Sequence, residues 1–164
     1  MTDDAVSRQG QDARRLNASS GAIVPMRNEA GSMWVPRVFL TIVGGLYLYL
    51  AIWCSVRPDS TSRLVGFELL PGSGQSEFLT VYGGLEFGMA LFFLMPFVRP
   101  ETTRYSLLCC LLIHASLVAF RSVGFVLYSN IQPMTWQLAV GEWAIFLLSV
   151  GVYVMPLRER KSVA

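Results

Sequence analysis

The sequence predicts an all-α fold: an integral membrane bundle of four up-down helices with both termini in the cytoplasm. Three observations carry that prediction. Four apolar runs are each long enough to cross a hydrocarbon layer of roughly 30 Å at about 1.5 Å per helical residue. Hydrophobic residues make up 53% of the 164-residue chain and charged residues only 15%, against about 25% charged in ordinary soluble domains. Lys and Arg are also strongly biased to one side of the predicted spans.

Residues 1–32 are polar, rich in Ser, Gly, Asn, Gln and Arg, and have no apolar periodicity. They read as a disordered tail. The tail lacks a hydrophobic stretch of the secretory kind, and Asp3, Asp4 and Asp12 oppose an organelle transit peptide. Met26 and Met33 are alternative starts. The transmembrane domain then occupies 33–157, with spans at Val38–Val56, Phe78–Val98, Tyr105–Tyr128 and Thr135–Leu157, and a basic tail follows at 158–164. A long loop, Arg57–Glu77, joins the first two spans. Its apolar piece Leu64–Leu70 reads either as a lid over the outer mouth or as a packed surface loop. The other two connections are short and carry the helix breakers Pro100 and Pro133. Short turns make consecutive helices antiparallel neighbours.

Orientation follows from counting. Arg8, Arg14, Arg15, Arg27, Arg37, Arg99, Arg104, Arg158, Arg160 and Lys161 fall on one side, and Arg57 and Arg63 on the other. The richer side is cytoplasmic. A net charge of +2 with no basic, aromatic-interleaved stripe excludes a nucleic-acid partner. Cys54, Cys109 and Cys110 lie in apolar runs with no C-x-x-C spacing, so they read as packing residues.

Helix packing has its own signal. Thr41-Ile42-Val43-Gly44-Gly45-Leu46 in the first span matches Thr80-Val81-Tyr82-Gly83-Gly84-Leu85 in the second, with Ala51 and Ala90 following at the same distance. Gly84 and Gly88 also form a G-x-x-x-G pair. Glycine faces let another helix approach closely, whether from the same chain, a second copy or a membrane complex.

The chemistry within the spans rests on Glu86, His114, Arg121 and Glu142, with Tyr82 one turn before Glu86. A charge at the bilayer centre costs roughly 2.5–3.5 kcal/mol, so these residues should face protein or water. Counted from span midpoints at 1.5 Å per residue, Glu86, Glu142 and Arg121 lie about 3, 5 and 7 Å outward, and His114 about 3 Å inward. Three charges on three helices thus share nearly one level, and Arg121 is expected to pair with Glu86 or Glu142. With one His, the chain excludes a bis-His haem, an H-E-x-x-H zinc site and a paired-histidine di-iron centre. It has no G-x-S-x-G elbow, P-loop or dinucleotide fingerprint. No catalytic residue and no metal ligand set is assigned, and the balance is against an enzyme.

Tyr82-Gly83-Gly84-Leu85-Glu86 with Gly88, and Arg121 in the third span, resemble a family of small bacterial four-helix membrane proteins of unknown function, distantly DoxX/DoxD-like. The resemblance covers roughly residues 36–157. It implies a four-helix fold in the bacterial cytoplasmic membrane and, by some relatives, an association with quinone or thiol redox systems. The missing cysteine pair departs from any thiol chemistry. Three functions follow as expectations. The first is a non-enzymatic structural or accessory component, with the buried charges as a clasp. The second is a small-molecule or proton-coupled carrier or binder that uses them. The third is a redox-associated subunit with a quinone near Tyr82 and His114.

Overall fold

A computed structural model describes residues 34–161, with side chains as far as Met155. The tail expected at 1–32, with Arg8, Arg14, Arg15, Arg27, Met26 and Met33, lies outside the described residues, as do residues 162–164. Among the described residues every regular element is helical. They are α1 (Trp34–Val56), α2 (Pro58–Leu64), α3 (Ser73–Phe78), a π-helical stretch (Leu79–Leu85), α4 (Glu86–Val98), a 3-10 turn (Pro100–Thr102), α5 (Thr103–Leu127) and α6 (Pro133–Lys161). Four helical rods, at 34–56, 73–98, 100–127 and 133–155, are long and apolar enough to cross a membrane.

The rods start earlier than hydropathy suggests. α1 begins at Trp34 and carries Pro36 in its first turn, where a missing N–H costs nothing. The second rod begins at Ser73 rather than Phe78, because the Gln75 side chain accepts the Gly72 N–H at 3.3 Å and closes the first turn. Gln75 also donates to Asp59 Oδ1 at 3.3 Å, which ties the rod's start to α2. Between them, Gly66 and Gly72 adopt φ of 86° and 81°, a region where a Cβ would be strained. α6 continues to Lys161, so the helix extends into the basic segment expected at 158–164.

Cross-helix contacts give the topology. Gly44 meets Leu94 and Ala90, while Ser55, farther along α1, meets Gly83; α1 and the second rod are antiparallel. Arg37 reaches Thr103 and Tyr47 reaches His114, so α1 and α5 are parallel. Cys110 faces Ser149 and Arg121 faces Glu142, which makes α6 antiparallel to α5. The chain therefore runs up, down, up, down. The core at their meeting is Leu40, Val43, Tyr47, Ala90, Phe93, Leu107, Cys110 and Val152.

The internal repeat has a structural counterpart. In each Gly-Gly pair the first glycine faces the neighbouring helix and the second faces away. A Cβ on Gly44 would lie 2.8 Å from Leu94 Cγ, and one on Gly83 2.6 Å from Ser55 Oγ. Ala51 and Ala90, which follow the pairs at equal spacing, are both buried. Gly45, Gly84 and Gly88 have no atom within 4 Å of their Cβ positions. Of the five packing glycines, only Gly44 and Gly83 therefore seat a helix of this chain.

Pro96 interrupts α4. It cannot donate to the carbonyl four residues back, that of Phe92. The buried Ser106 hydroxyl of α5 donates to that carbonyl instead, at 3.1 Å. A neighbouring helix thus satisfies the group that proline strands, the usual condition for proline inside an apolar bundle. Outside the core the surface is apolar: Ile42, Leu112, Phe120, Val126 and Val140 are all exposed.

Candidate functional site

The polar residues inside the bundle form two separate groups and one solitary carboxylate. The first group is centred on His114 of α5, which is fully buried. Its Nδ1 lies 2.8 Å from the Cys110 carbonyl one turn back. A carbonyl can only accept, so Nδ1 carries the proton and Nε2 is left as an acceptor. Tyr47 of α1 donates its hydroxyl to Nε2 at 3.2 Å. The Cys110 thiol also lies 3.5 Å from the Ser149 hydroxyl of α6, which itself donates to the Ile145 carbonyl. The chain Tyr47–His114–Cys110–Ser149 thereby links three helices. Tyr47 also meets the Phe93 ring edge-on, with centroids 5.6 Å apart, which closes the apolar side. Both ring nitrogens of His114 are engaged and neither is left for a substrate, a metal or a quinone oxygen.

The second group is the ion pair between α5 and α6. Arg121 Nε donates to Glu142 Oε2 at 2.6 Å, and Nη2 to Oε1 at 2.5 Å. This is the parallel two-bond arrangement that a guanidinium makes with a carboxylate. The side chains are 26% and 15% exposed, so the pair borders the interior rather than sitting deep within it.

Glu86 does not join that pair. Its Oε2 is buried and finds no hydrogen-bond partner among the described residues. Glu86 opens α4, directly after the π-helical stretch. The wider turn rotates every later side chain relative to a continuous α-helix, and such stretches recur at functional positions. Tyr82 lies within that stretch, stacked on Phe78 with centroids 4.5 Å apart and tilted against Phe67 at 6.0 Å.

Beside Arg121 an open groove of about 610 Å³ runs along α5. Its walls are apolar, with Ile113, Leu117, Phe120 and Phe125 from α5, Ile131 from the following turn and Phe67 from the loop between α2 and α3. Phe125 stacks on Trp136 of α6, with centroids 4.2 Å apart. Arg121 is the charged residue of the lining. The loop expected either to lid the outer mouth or to pack on the surface thus contributes Phe67 to the groove and to a contact with Tyr82.

Five expected residues are accordingly distributed as follows. Arg121 and Glu142 are brought together, His114 is engaged elsewhere, Glu86 stands alone and Tyr82 packs on Phe78 and Phe67. Sequence reasoning missed Tyr47, Ser149 and the groove aromatics Phe67 and Phe125. Tyr47 alternates with Tyr49 in one apolar run, and nothing local marks which of the two faces inward. Among the described residues no three His, Cys, Asp or Glu side chains are grouped to hold a metal ion. Set against family models, curated proteins and solved structures, the chain finds no match.

Proposed function

We propose that this chain is an integral membrane protein of four spans that binds an apolar small molecule beside Arg121 and performs no catalysis. The groove along α5 carries the reading. Its volume, about 610 Å³, lies within the range of about 300–1,000 Å³ of small-molecule sites, which are mostly apolar with a few placed polar groups. Its lining includes the exposed Phe120, so the groove is accessible from the apolar surface through which a lipid-soluble ligand would arrive.

Insertion is supported by the inverted polarity of the bundle. His114, Ser106, Ser149 and the Arg121–Glu142 pair face inward or border the interior, while large apolar side chains cover the outside. A soluble protein seldom exposes so continuous an apolar surface. The Lys and Arg asymmetry supports cytoplasmic termini, an orientation in which Phe67 and the groove would lie toward the outer face. The engaged state of His114 supports the non-catalytic assignment.

A second reading has its own support. The Arg121–Glu142 pair joins α5 to α6, as a purely structural or accessory subunit would require.

Two measurements test these readings. The chain should stay in the membrane pellet after alkaline carbonate extraction. In a background with Cys54, Cys109 and Cys110 replaced by Ser, an impermeant thiol reagent should label Ser129→Cys from outside but not Glu101→Cys; the reverse pattern would refute the orientation. For binding, Trp34→Phe/Trp53→Phe/Trp143→Phe leaves Trp136 as the reporter. Its fluorescence in lipid nanodiscs should be quenched saturably by 1-bromododecane, and Gly124→Leu, which fills the groove, should abolish the saturable part. Quenching that only rises linearly would favour the structural reading.

A further inference from the structure

We infer that the groove selects an apolar molecule bearing a neutral oxygen acceptor, a ketone-type carbonyl, over one bearing a carboxylate. The inference rests on the binding reading above and concerns the head of the ligand, which that reading leaves open.

The argument begins with hydrogen-bond bookkeeping on Arg121. A guanidinium has five N–H donors and no acceptor. Two of the five go to Glu142, one from Nε and one from Nη2. The other three meet no acceptor among the described residues. A membrane interior supplies little water to satisfy them, and an unmet donor there is costly. Arg121 lines the groove, so a ligand oxygen placed beside it can take one or two of these donors.

Charge then selects the kind of oxygen. Glu142 already neutralises the guanidinium through two short bonds, and it is absent from the groove lining. The site therefore offers donors without net positive charge. A ligand carboxylate would bring an uncompensated negative charge into an apolar groove and face Glu142 across the same guanidinium, whereas a neutral carbonyl accepts the same bonds without that cost. A ligand cation finds no carboxylate in the lining. The other polar groups of the lining are neutral and leave the charge balance unchanged: the Ser116 hydroxyl is turned to the Leu112 carbonyl of its own helix, and Tyr128 and Thr135 add hydroxyls only.

Competition against 1-bromododecane at Trp136 tests this with probes that share one tail. Dodecan-2-one, dodecanoate and dodecane should displace it in the order ketone first, with about a tenfold advantage over each of the others, the ratio that one net hydrogen bond of about 1.4 kcal/mol gives. Glu142→Gln keeps an acceptor for Arg121 but removes the compensating charge, so it should reverse the order in favour of dodecanoate. If dodecanoate outcompetes the ketone in the wild type, or the ketone does no better than dodecane, the inference falls while the binding site stands. If 1-bromododecane itself never saturates, the binding reading falls and takes the inference with it. Discs of ether-linked phospholipid lack acyl carbonyls. A ketone advantage seen in both ether- and ester-linked discs supports a free ligand, and one confined to ether-linked discs overturns it in favour of the lipid's own ester. Should Glu142→Gln be too unstable to assay, Arg121→Gln must erase the ketone's advantage, and a persisting advantage overturns the inference.

Discussion

The two helix pairs of this bundle solve the same problem in different ways. α1 and the second rod meet through small residues: Gly44 lies against Leu94 and Ala90, and Gly83 against Ser55, with no room for a further methyl group. α5 and α6 touch through the small pair Cys110 and Ser149 at one level and, farther along, through large ones, an ion pair between Arg121 and Glu142 and a stack between Phe125 and Trp136. Small residues let backbones close on each other and leave a dry seam. Long side chains can bridge helices without bringing the backbones so close at that level, which leaves space beside them. The groove lies along α5 beside Arg121. Polar residues inside an apolar bundle can thus create room as well as fasten helices.

If that contrast is right, breaking the ion pair should have the largest effect. Arg121→Met leaves Glu142 without its partner in a low-dielectric setting, at a cost of about 2–3 kcal/mol. Thermal denaturation in detergent would read it, and Arg121→Met/Glu142→Gln should recover most of the loss. If the double variant is no more stable than the single, the pair is not what holds α5 to α6. Glu86→Gln supplies the control. Its carboxylate has no hydrogen-bond partner to lose among the described residues, so the amide should be tolerated to within about 0.5 kcal/mol.

The seam between α1 and the second rod should be next in sensitivity, and to size rather than charge. Gly44→Ile drives atoms into Leu94 and into the Ala90 carbonyl 3.2 Å from the Cβ position. Overpacking of that kind costs about 1–3 kcal/mol. Leu94→Ala should relieve part of it in a double-mutant cycle, since Leu94 supplies the nearest atom. An additive cycle would mean that the strain lies in the backbone approach to Ala90 instead.

These contrasts also mark what the sequence could convey. The four rods were readable because an apolar run of membrane length is a signal carried by composition alone. Counting along the helices made Arg121's candidate partners readable as Glu86 or Glu142, and it pairs with Glu142. Azimuth was not readable: which two of the three would pair depends on how helices rotate about their axes, which no local pattern states. The π-helical turn at Leu79–Leu85 adds to that difficulty, because it shifts the facing of Glu86 without altering hydropathy. The Tyr47–His114 bond joins residues 67 apart in sequence, and the choice of Tyr47 over Tyr49 rests on tertiary packing. The groove was invisible because it is a gap left by large side chains from several elements. Ser73–Glu77, polar in sequence, joined the second rod through the Gln75 cap, a local contact that hydropathy does not register.

The smallest effect sharpens the comparison most, because it isolates one hydrogen bond at the boundary between the two pairs. Ser106 of α5 donates to the Phe92 carbonyl of α4, the acceptor left without its helical donor by Pro96. Ser106→Ala should cost about 1 kcal/mol, a typical net value for one hydrogen bond, rising toward the cost of an orphaned buried carbonyl if nothing else reaches Phe92. The structure predicts how to cancel the loss. Pro96→Ala returns an N–H to position 96, which can close the bond to Phe92 within α4 itself. In the Pro96→Ala background, Ser106→Ala should therefore cost clearly less than it does alone, and the difference is a coupling energy measurable from four melting curves. A coupling near zero would show that the Ser106 hydroxyl is not what satisfies Phe92.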